Sequence, residues 1–183
     1  MNTGVINFKD ISYLRLGTLK QQQAYNVLTK YAVLDVLHAY DPVLAGTIPI
    51  NINIEDSDLD ILCCWQQKEE FTGTIIKHFS GNKAFTIREI VIHSQPAIIA
   101  SFFIEDFEIE IFGQNIPVQQ QYGYRHLIIE YALLLQFGEE FRKKIIELKQ
   151  QGYKTEPAFA MLLGLSGDPY QSLLDYEKQL TIR

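Results

Sequence analysis

The stretch AGTIPININIEDSDLDILCCW, residues 45–65, carries acids inside a run that otherwise has the composition of an apolar strand. Gly46 and Thr47 stand about ten residues ahead of an acid-hydrophobic-acid triplet that begins at Asp58 and ends at Asp60. Strand side chains alternate between faces, so both aspartates would share one face with Cα atoms about 6.6 Å apart. Because Asp is a poor strand former, the triplet needs a physical explanation.

Spacing alone leaves two interpretations of this acidic strand open. In one, Asp56, Asp58 and Asp60 form the solvent-facing side of a half-exposed strand, the commonest fate of alternating acids. In the other, Asp58 and Asp60 ligate divalent cations, which take carboxylate oxygens together with substrate phosphates. Gly46 would then let the backbone approach an anion and the Thr47 hydroxyl would donate to a phosphate oxygen, although such a pair is more often a plain turn.

A third acidic element is FEIEIFGQ, residues 107–114, where Glu108 and Glu110 share one strand face. A glutamate from this run would complete a three-carboxylate metal site with the aspartate pair. Taken in isolation, the run is typical of a solvent-facing polar stripe on an antiparallel strand. We favour Glu110 over Glu108 as the third carboxylate.

The rest of the chain divides into an N-terminal α/β half, residues 1–118, and a C-terminal helical half, residues 119–183, that we expect to pack on it as one compact unit. Apolar spacing predicts helices over residues 18–40, 66–79, 124–137 and 139–151, further helix starts near residues 155 and 168, and strands over residues 48–54, 59–65, 85–92, 97–104 and 107–112.

Composition limits the classes of function. The 183 residues carry a formal net charge of −6, with 16 Lys and Arg against 22 Asp and Glu, which opposes binding of a long nucleic acid. The neighbouring cysteines, Cys63 and Cys64, point to opposite faces of a strand and predict neither a disulfide framework nor a thiolate cluster. With no apolar run near the ~20 residues of a membrane span, we expect a cytoplasmic protein without a membrane partner.

The order of these motifs resembles the nucleotidyltransferase superfamily, the polymerase-beta-like group. The Gly46-Thr47 pair, SDLDIL at residues 57–62 and IEIF at residues 109–112 follow its pattern over residues 19–114. The resemblance implies an α+β fold, a mixed β-sheet flanked by helices and followed by a C-terminal helical region. Segments YRHLIIE, KTEPAFA and LLGLSGDPY also resemble a bacterial family known as a domain of unknown function, over nearly the whole chain.

The resemblance implies roles only for the residues that match its motifs. Gly46 and Thr47, the latter in place of the commoner serine, would hold the β- and γ-phosphates of a nucleoside triphosphate. Asp58 and Asp60 would ligate Mg²⁺ or Mn²⁺. Glu110 would ligate the second metal and help to deprotonate an acceptor hydroxyl.

The leading hypothesis is a metal-dependent nucleotidyltransferase that moves a nucleoside monophosphate from an NTP to an unknown small-molecule or protein acceptor. Two alternatives remain: a non-catalytic binding or regulatory protein of the same fold, and a carboxylate-metal hydrolase of phosphate esters. Lys154 and Arg125 are expected to contact phosphate or acceptor from the helical half. For either residue alone, a solvated surface position is the more common role.

Overall fold

A computed structural model describes residues 6–92 and 94–180 of the chain, and the described residues form one mixed five-stranded sheet. Its strands lie in the order β1-β2-β5-β4-β3. Only the β2–β5 pair is parallel, while the β1–β2, β3–β4 and β4–β5 pairs are antiparallel. The strands are β1 (Val43–Ala45), β2 (Leu59–Cys64), β3 (Lys83–Ile92), β4 (Gln95–Ile104) and β5 (Phe107–Gln114).

Helices cover the sheet and form most of the C-terminal half. They are α1 (Leu19–Lys30), α2 (Val33–Val36), α3 (Lys68–Phe79), α4 (Tyr122–Gln150), α5 (Thr155–Leu163) and α6 (Pro169–Tyr176). Gly138 breaks α4 with φ 76° and ψ −162°, which confirms the helix end predicted there. Asp168 caps α6 as predicted, since its side chain accepts from the Gln171 N–H. No helix in the described ranges is long and apolar enough to cross a membrane.

The long first helix predicted over residues 18–40 is broken. A capping box between Thr18 and Gln21 starts α1. The helix ends at Lys30, and Ala32 adopts a left-handed conformation with φ 51° before α2 begins. The apolar spacing continues across the break because Val33 and Leu37 stay fully buried in the core.

The strand predicted over residues 48–54 is wrong, because this segment forms turns and irregular loop. Ile48, Ile50 and Ile52 are buried although they lie in a loop, and side chains from other elements bond the backbone of this loop. Gln21 donates to the carbonyl oxygens of Ile48 and Pro49, at 2.9 and 3.2 Å. Arg142 of α4 donates to the carbonyl oxygens of Ile50 and Asn51. These bonds supply the partners that a strand neighbour would otherwise provide.

The two faces of the central strands have different environments. Leu59, Ile61 and Cys63 point into a core shared with α1 and α3, as the period of two predicts. Asp60 and Leu62 point to the opposite face, where Leu62 packs in a second core with residues of the C-terminal helices. Asp60 of β2 therefore faces the helical half. The domain boundary between residues 118 and 119 stays a prediction.

Candidate active-site cleft

Two carboxylates meet across the parallel strands at the centre of the sheet. Asp60 of β2 is the register partner of Glu110 of β5, and neighbouring strands lie about 4.8 Å apart. Asp58 immediately precedes the first residue of β2 and keeps the parity of Asp60. All three side chains line a cleft of about 730 Å³ between this face of the sheet and the C-terminal helices.

Gly46 lines the cleft in close contact with the carboxylate of Asp60. The residue follows β1 with φ 74°, and a Cβ placed there would lie 2.0 Å from Asp60 Oδ2. Any larger residue would displace the carboxylate, and an L side chain is strained at this φ. Beside it, the Thr47 hydroxyl donates to Ser57 Oγ at 3.1 Å, so this hydroxyl has a fixed position on the cleft wall.

Burial and repulsion raise the pKa of Asp60 to about 7. Burial is the largest cause, followed by the charges of Asp58, Glu110 and Glu156, while Lys149 opposes the shift. The pKa of Glu110 is also raised, first by burial and then by Asp58. The site therefore favours either a proton or a cation among these oxygens.

The carboxylates suit a hard divalent cation in ligand chemistry. None of Asp58, Asp60 and Glu110 makes a side-chain hydrogen bond or ion pair with residues 6–92 or 94–180, so their oxygens are available. Within the same ranges, no group of three His, Cys, Asp or Glu side chains is close enough to hold a metal ion. Ligation of one cation by three of these carboxylates would therefore require the side chains to turn toward a shared point.

The wall opposite the sheet carries two buried ionisable residues. From its i, i+4 spacing with His126, Glu130 could be expected on the cleft, whereas the sequence analysis missed Lys149. Glu130 of α4 is 4% exposed and Lys149 of the same helix is 7% exposed, and both line the cleft. Burial raises the pKa of Glu130 well above its usual range and lowers that of Lys149 to about 8. The charges of Glu130, Asp58, Glu156 and Asp60 act against this lowering, because each of them favours the Lys149 ammonium.

His126 and Glu156 extend the same wall. The Nε2 of His126 lies 3.0 Å from the Tyr170 carbonyl oxygen, which can only accept, so Nε2 carries the proton. Its Nδ1 lies 3.4 Å from Glu156 Oε1, an ion pair when the ring is protonated. These contacts join α4, α5 and α6 at the cleft.

The residues predicted from sequence are partly brought together. Gly46, Thr47, Asp58, Asp60, Glu110 and Lys154 all line the cleft. Glu108 is exposed and lies outside the lining. Arg125 is also outside it, because its guanidinium donates to Glu177 at 2.6 Å and ties α4 to the C-terminal segment.

The sequence gives different indications of a site role for Glu130 and for Lys149. Glu130 interrupts the apolar run HLIIEYALLL, and an acid in a helix face of that kind is a signal for a buried site. Lys149 stands in the polar run ELKQQ, where nothing distinguishes it from a solvated lysine. Only the packing of α4 against the sheet shows that it is buried.

Comparison with protein families gives one match over most of the chain. Residues 26–176 match the family described as Domain of unknown function (DUF4269). Comparison with curated proteins finds no match.

Comparison with solved structures finds similar folds. The structure described as a basis for the RNA terminal uridylyl transferase activity of Cid1 is 11% identical with a TM-score of 0.53, over 72% of this chain and 41% of that one. The structure of the GLD-2/RNP-8 complex is 11% identical with a TM-score of 0.54, over 94% of this chain and 72% of that one. The polymerase core of TRAMP, an RNA surveillance complex, is 12% identical with a TM-score of 0.50, over 89% of this chain and 50% of that one.

These matches show a fold rather than an activity. This chain spans less than half of the Cid1 chain that it matches. The predicted α+β, nucleotidyltransferase-like fold is confirmed, with its mixed sheet, flanking helices and C-terminal helical region.

Proposed function

The chain belongs to the family described as Domain of unknown function (DUF4269), and from its nucleotidyltransferase fold we propose that it is a metal-dependent nucleotidyltransferase. It would transfer a nucleoside monophosphate from an NTP to the hydroxyl of a small-molecule or protein acceptor. Mg²⁺ or Mn²⁺ would be the cofactor. The cytoplasm is the proposed compartment.

The observation that carries the proposal is the pairing of Asp60 with Glu110 beneath Gly46. The two carboxylates stand in register on neighbouring strands and face one cleft. The glycine leaves room for the Asp60 carboxylate, because a Cβ at this position would lie 2.0 Å from Asp60 Oδ2. Phosphoryl-type transfer asks a protein mainly for such positioning and for charge neutralisation.

The proposed roles are those that the resemblance implies, for residues that line the cleft. Gly46 and Thr47 bind the β- and γ-phosphates. Asp58, Asp60 and Glu110 would hold the divalent cations, which neutralise charge on the phosphates and polarise the α-phosphorus. Lys154 binds the phosphates from the helical wall. Arg125 is omitted, because its guanidinium is committed to Glu177.

Lys149 adds a charge to the site, and Glu110 has a second role as proton acceptor. Lys149 places a buried ammonium near the aspartates, where it offsets triphosphate charge. Glu110, whose pKa is raised, accepts the proton of the acceptor hydroxyl. The hydroxyl oxygen forms a bond to the α-phosphorus, the bond between the α-phosphorus and the bridging oxygen breaks, and pyrophosphate leaves.

Calorimetric titration with non-hydrolysable analogues of the four common NTPs, with and without Mg²⁺, tests the proposal. We expect binding only with metal, at least tenfold weaker binding in Asp58→Asn, and no more than a twofold change in Glu108→Gln, the matched exposed acid. Glu110→Gln should retain nucleotide binding more fully than Asp58→Asn and should lower turnover by about 10²–10⁴.

Other outcomes separate the alternatives. Absence of metal-dependent nucleotide binding would refute the enzyme and favour a non-catalytic binding protein of the same fold. Consumption of an NTP with no added acceptor would instead favour the hydrolase.

A further inference from the structure

The outer edge of the sheet at β3 has no strand beside it among residues 6–92 and 94–180. β3 is the last strand of the order β1-β2-β5-β4-β3, and it pairs with β4 alone. Its first part is irregular, because the register shifts between Lys83 and Thr86 and Ala84 adopts φ 55°. Residues 86–92 then pair with β4 in unbroken register. The outer side of this regular length can accept another strand, as exposed sheet edges do.

The side of β3 that faces α3 carries both an exposed apolar residue and an apolar groove. Glu89 bonds to Lys68 of α3, so Ile87, Glu89 and Val91 all project on this side. Val91 is 71% exposed. Ile87 lines a groove of about 460 Å³ together with Ile76 of α3, which is itself 44% exposed. Val91 and Ile87 therefore lie at equal distances from Glu89 along the strand, one exposed and the other beside an open groove.

This spacing makes the edge complementary to itself. When two copies of one strand pair antiparallel about a two-fold axis perpendicular to the sheet, residues at equal distances from the axis face each other on the same side. An axis at Glu89, the middle of residues 86–92, uses the whole regular length of the edge. It sets Val91 of each copy against Ile87 of the other, so the exposed valine enters the groove that Ile87 lines.

Lys68 balances the charge at this axis. Two Glu89 carboxylates face each other there, and like charges directly opposite destabilise a strand pair. Each carboxylate is bonded by the Lys68 of its own copy, whose Nζ lies 3.0 Å from Oε1 and 2.9 Å from Oε2. Two acids and two bases therefore meet at the axis with no net charge. An axis at Arg88 lacks this compensation, because the Arg88 guanidinium forms no ion pair with any described residue.

We propose that the chain forms a two-fold symmetric dimer by antiparallel pairing of the two β3 edges, centred on Glu89. The pairing joins the two sheets into one continuous sheet. Because the axis is perpendicular to that sheet, the candidate active-site clefts of the two copies open on the same side of it. The dimer forms whether or not the chain transfers nucleotides, so it stands separately from the proposed function.

Sedimentation of the full chain over a dilution series tests the dimer. Val91→Lys puts a charge into the apolar groove of the other copy and should raise the dimer dissociation constant at least tenfold. Lys68→Gln leaves two carboxylates opposed at the axis and should raise it at least threefold at neutral pH. Leu135→Lys is the matched control, at an apolar position of α4 that is 61% exposed, and should change it less than twofold. Val91 and Leu135 are both exposed, so the monomer fold should tolerate either lysine.

A cysteine crosslink tests the register. Residues directly opposite in an antiparallel pair have Cα atoms about 4.5–5.5 Å apart, within the range that a disulfide spans. Glu89→Cys should therefore crosslink one copy to the other under mild oxidation. Val91→Cys should not, because its two copies stand four residues apart along the strands, about 14 Å. Wild type, in which Cys63 is buried and Cys64 half-buried, gives the background.

A concentration-dependent dimer that Val91→Lys disrupts and Glu89→Cys crosslinks supports this pairing. A wild type that stays monomeric at every concentration overturns it and leaves the β3 edge to a strand of another protein. A dimer that Val91→Lys leaves unchanged, or in which Glu89→Cys fails to crosslink, overturns it as well.

Discussion

Replacing Asp60 with Asn should stabilise the protein above pH 7 while abolishing its response to metal-nucleotide. Burial and the neighbouring acids raise the Asp60 pKa from 3.8 to about 7. At 1.36 kcal/mol per pKa unit, the ionised carboxylate costs up to about 4 kcal/mol in the folded state. The folded protein holds this proton more tightly than the unfolded chain does. The contribution of Asp60 to the free energy of unfolding is therefore greatest below pH 3.8 and is lost as pH rises through 7.

The neutral amide removes that cost and adds its own burial penalty. We expect a net gain of about 1–3 kcal/mol for Asp60→Asn at pH 8, which corresponds to about 2–12 °C in Tm for a chain of this size. At pH 5 wild-type Asp60 is protonated in the folded state, so most of the difference in Tm should disappear. Asp56→Asn, an exposed carboxyl of the same cleft, should stay within about 0.5 kcal/mol of wild type at both pH values.

Thermal melts with and without Mg²⁺-ATP complete the measurement. Ligand at a hundred times its Kd should stabilise wild type by about 2.7 kcal/mol and leave Asp60→Asn unchanged. A variant that is destabilised at pH 8 and keeps the wild-type ligand response would show that Asp60 supports the architecture. The reasoning from like-charge crowding would then be refuted.

Two further substitutions test the walls of the cleft. Gly46→Ala should lower the free energy of unfolding by about 1–2 kcal/mol from positive φ alone, and it should displace Asp60 so that Mg²⁺-nucleotide binding is lost. The control Gly73→Ala, in α3 with open space around it, should be neutral or stabilising by roughly 0.5–1 kcal/mol. Equal effects of the two substitutions on thermal melts would contradict the close approach of Gly46 to Asp60. Gln21→Ala removes two hydrogen bonds to loop carbonyl oxygens, so it should lower the free energy of unfolding by about 1–3 kcal/mol and weaken nucleotide binding. Gln22→Ala, at an exposed neighbouring position, should do neither. Urea titration measures the stability of each variant, and calorimetric titration measures its nucleotide binding.

Local sequence chemistry was enough to predict most of the elements and the parity of the acids. The period of two placed Asp58 and Asp60 on one strand face, and Glu110 on a face of its own strand, because strand geometry alternates side chains whatever the neighbours are. Capping chemistry located the start of α6 at Asp168, and Gly138 ended the first part of α4, because both effects act within a few residues.

Tertiary structure decided which of these elements meet. Only the parallel pairing of β2 with β5 sets Asp60 beside Glu110, since register is a property of two strands and neither sequence segment contains it. The isoleucines of residues 48–54 alternate like a strand, yet Gln21 and Arg142 hold them as a loop. Glu130 and Lys149 became site residues because helix packing buried them opposite the acids, and burial is set by the elements that cover a residue.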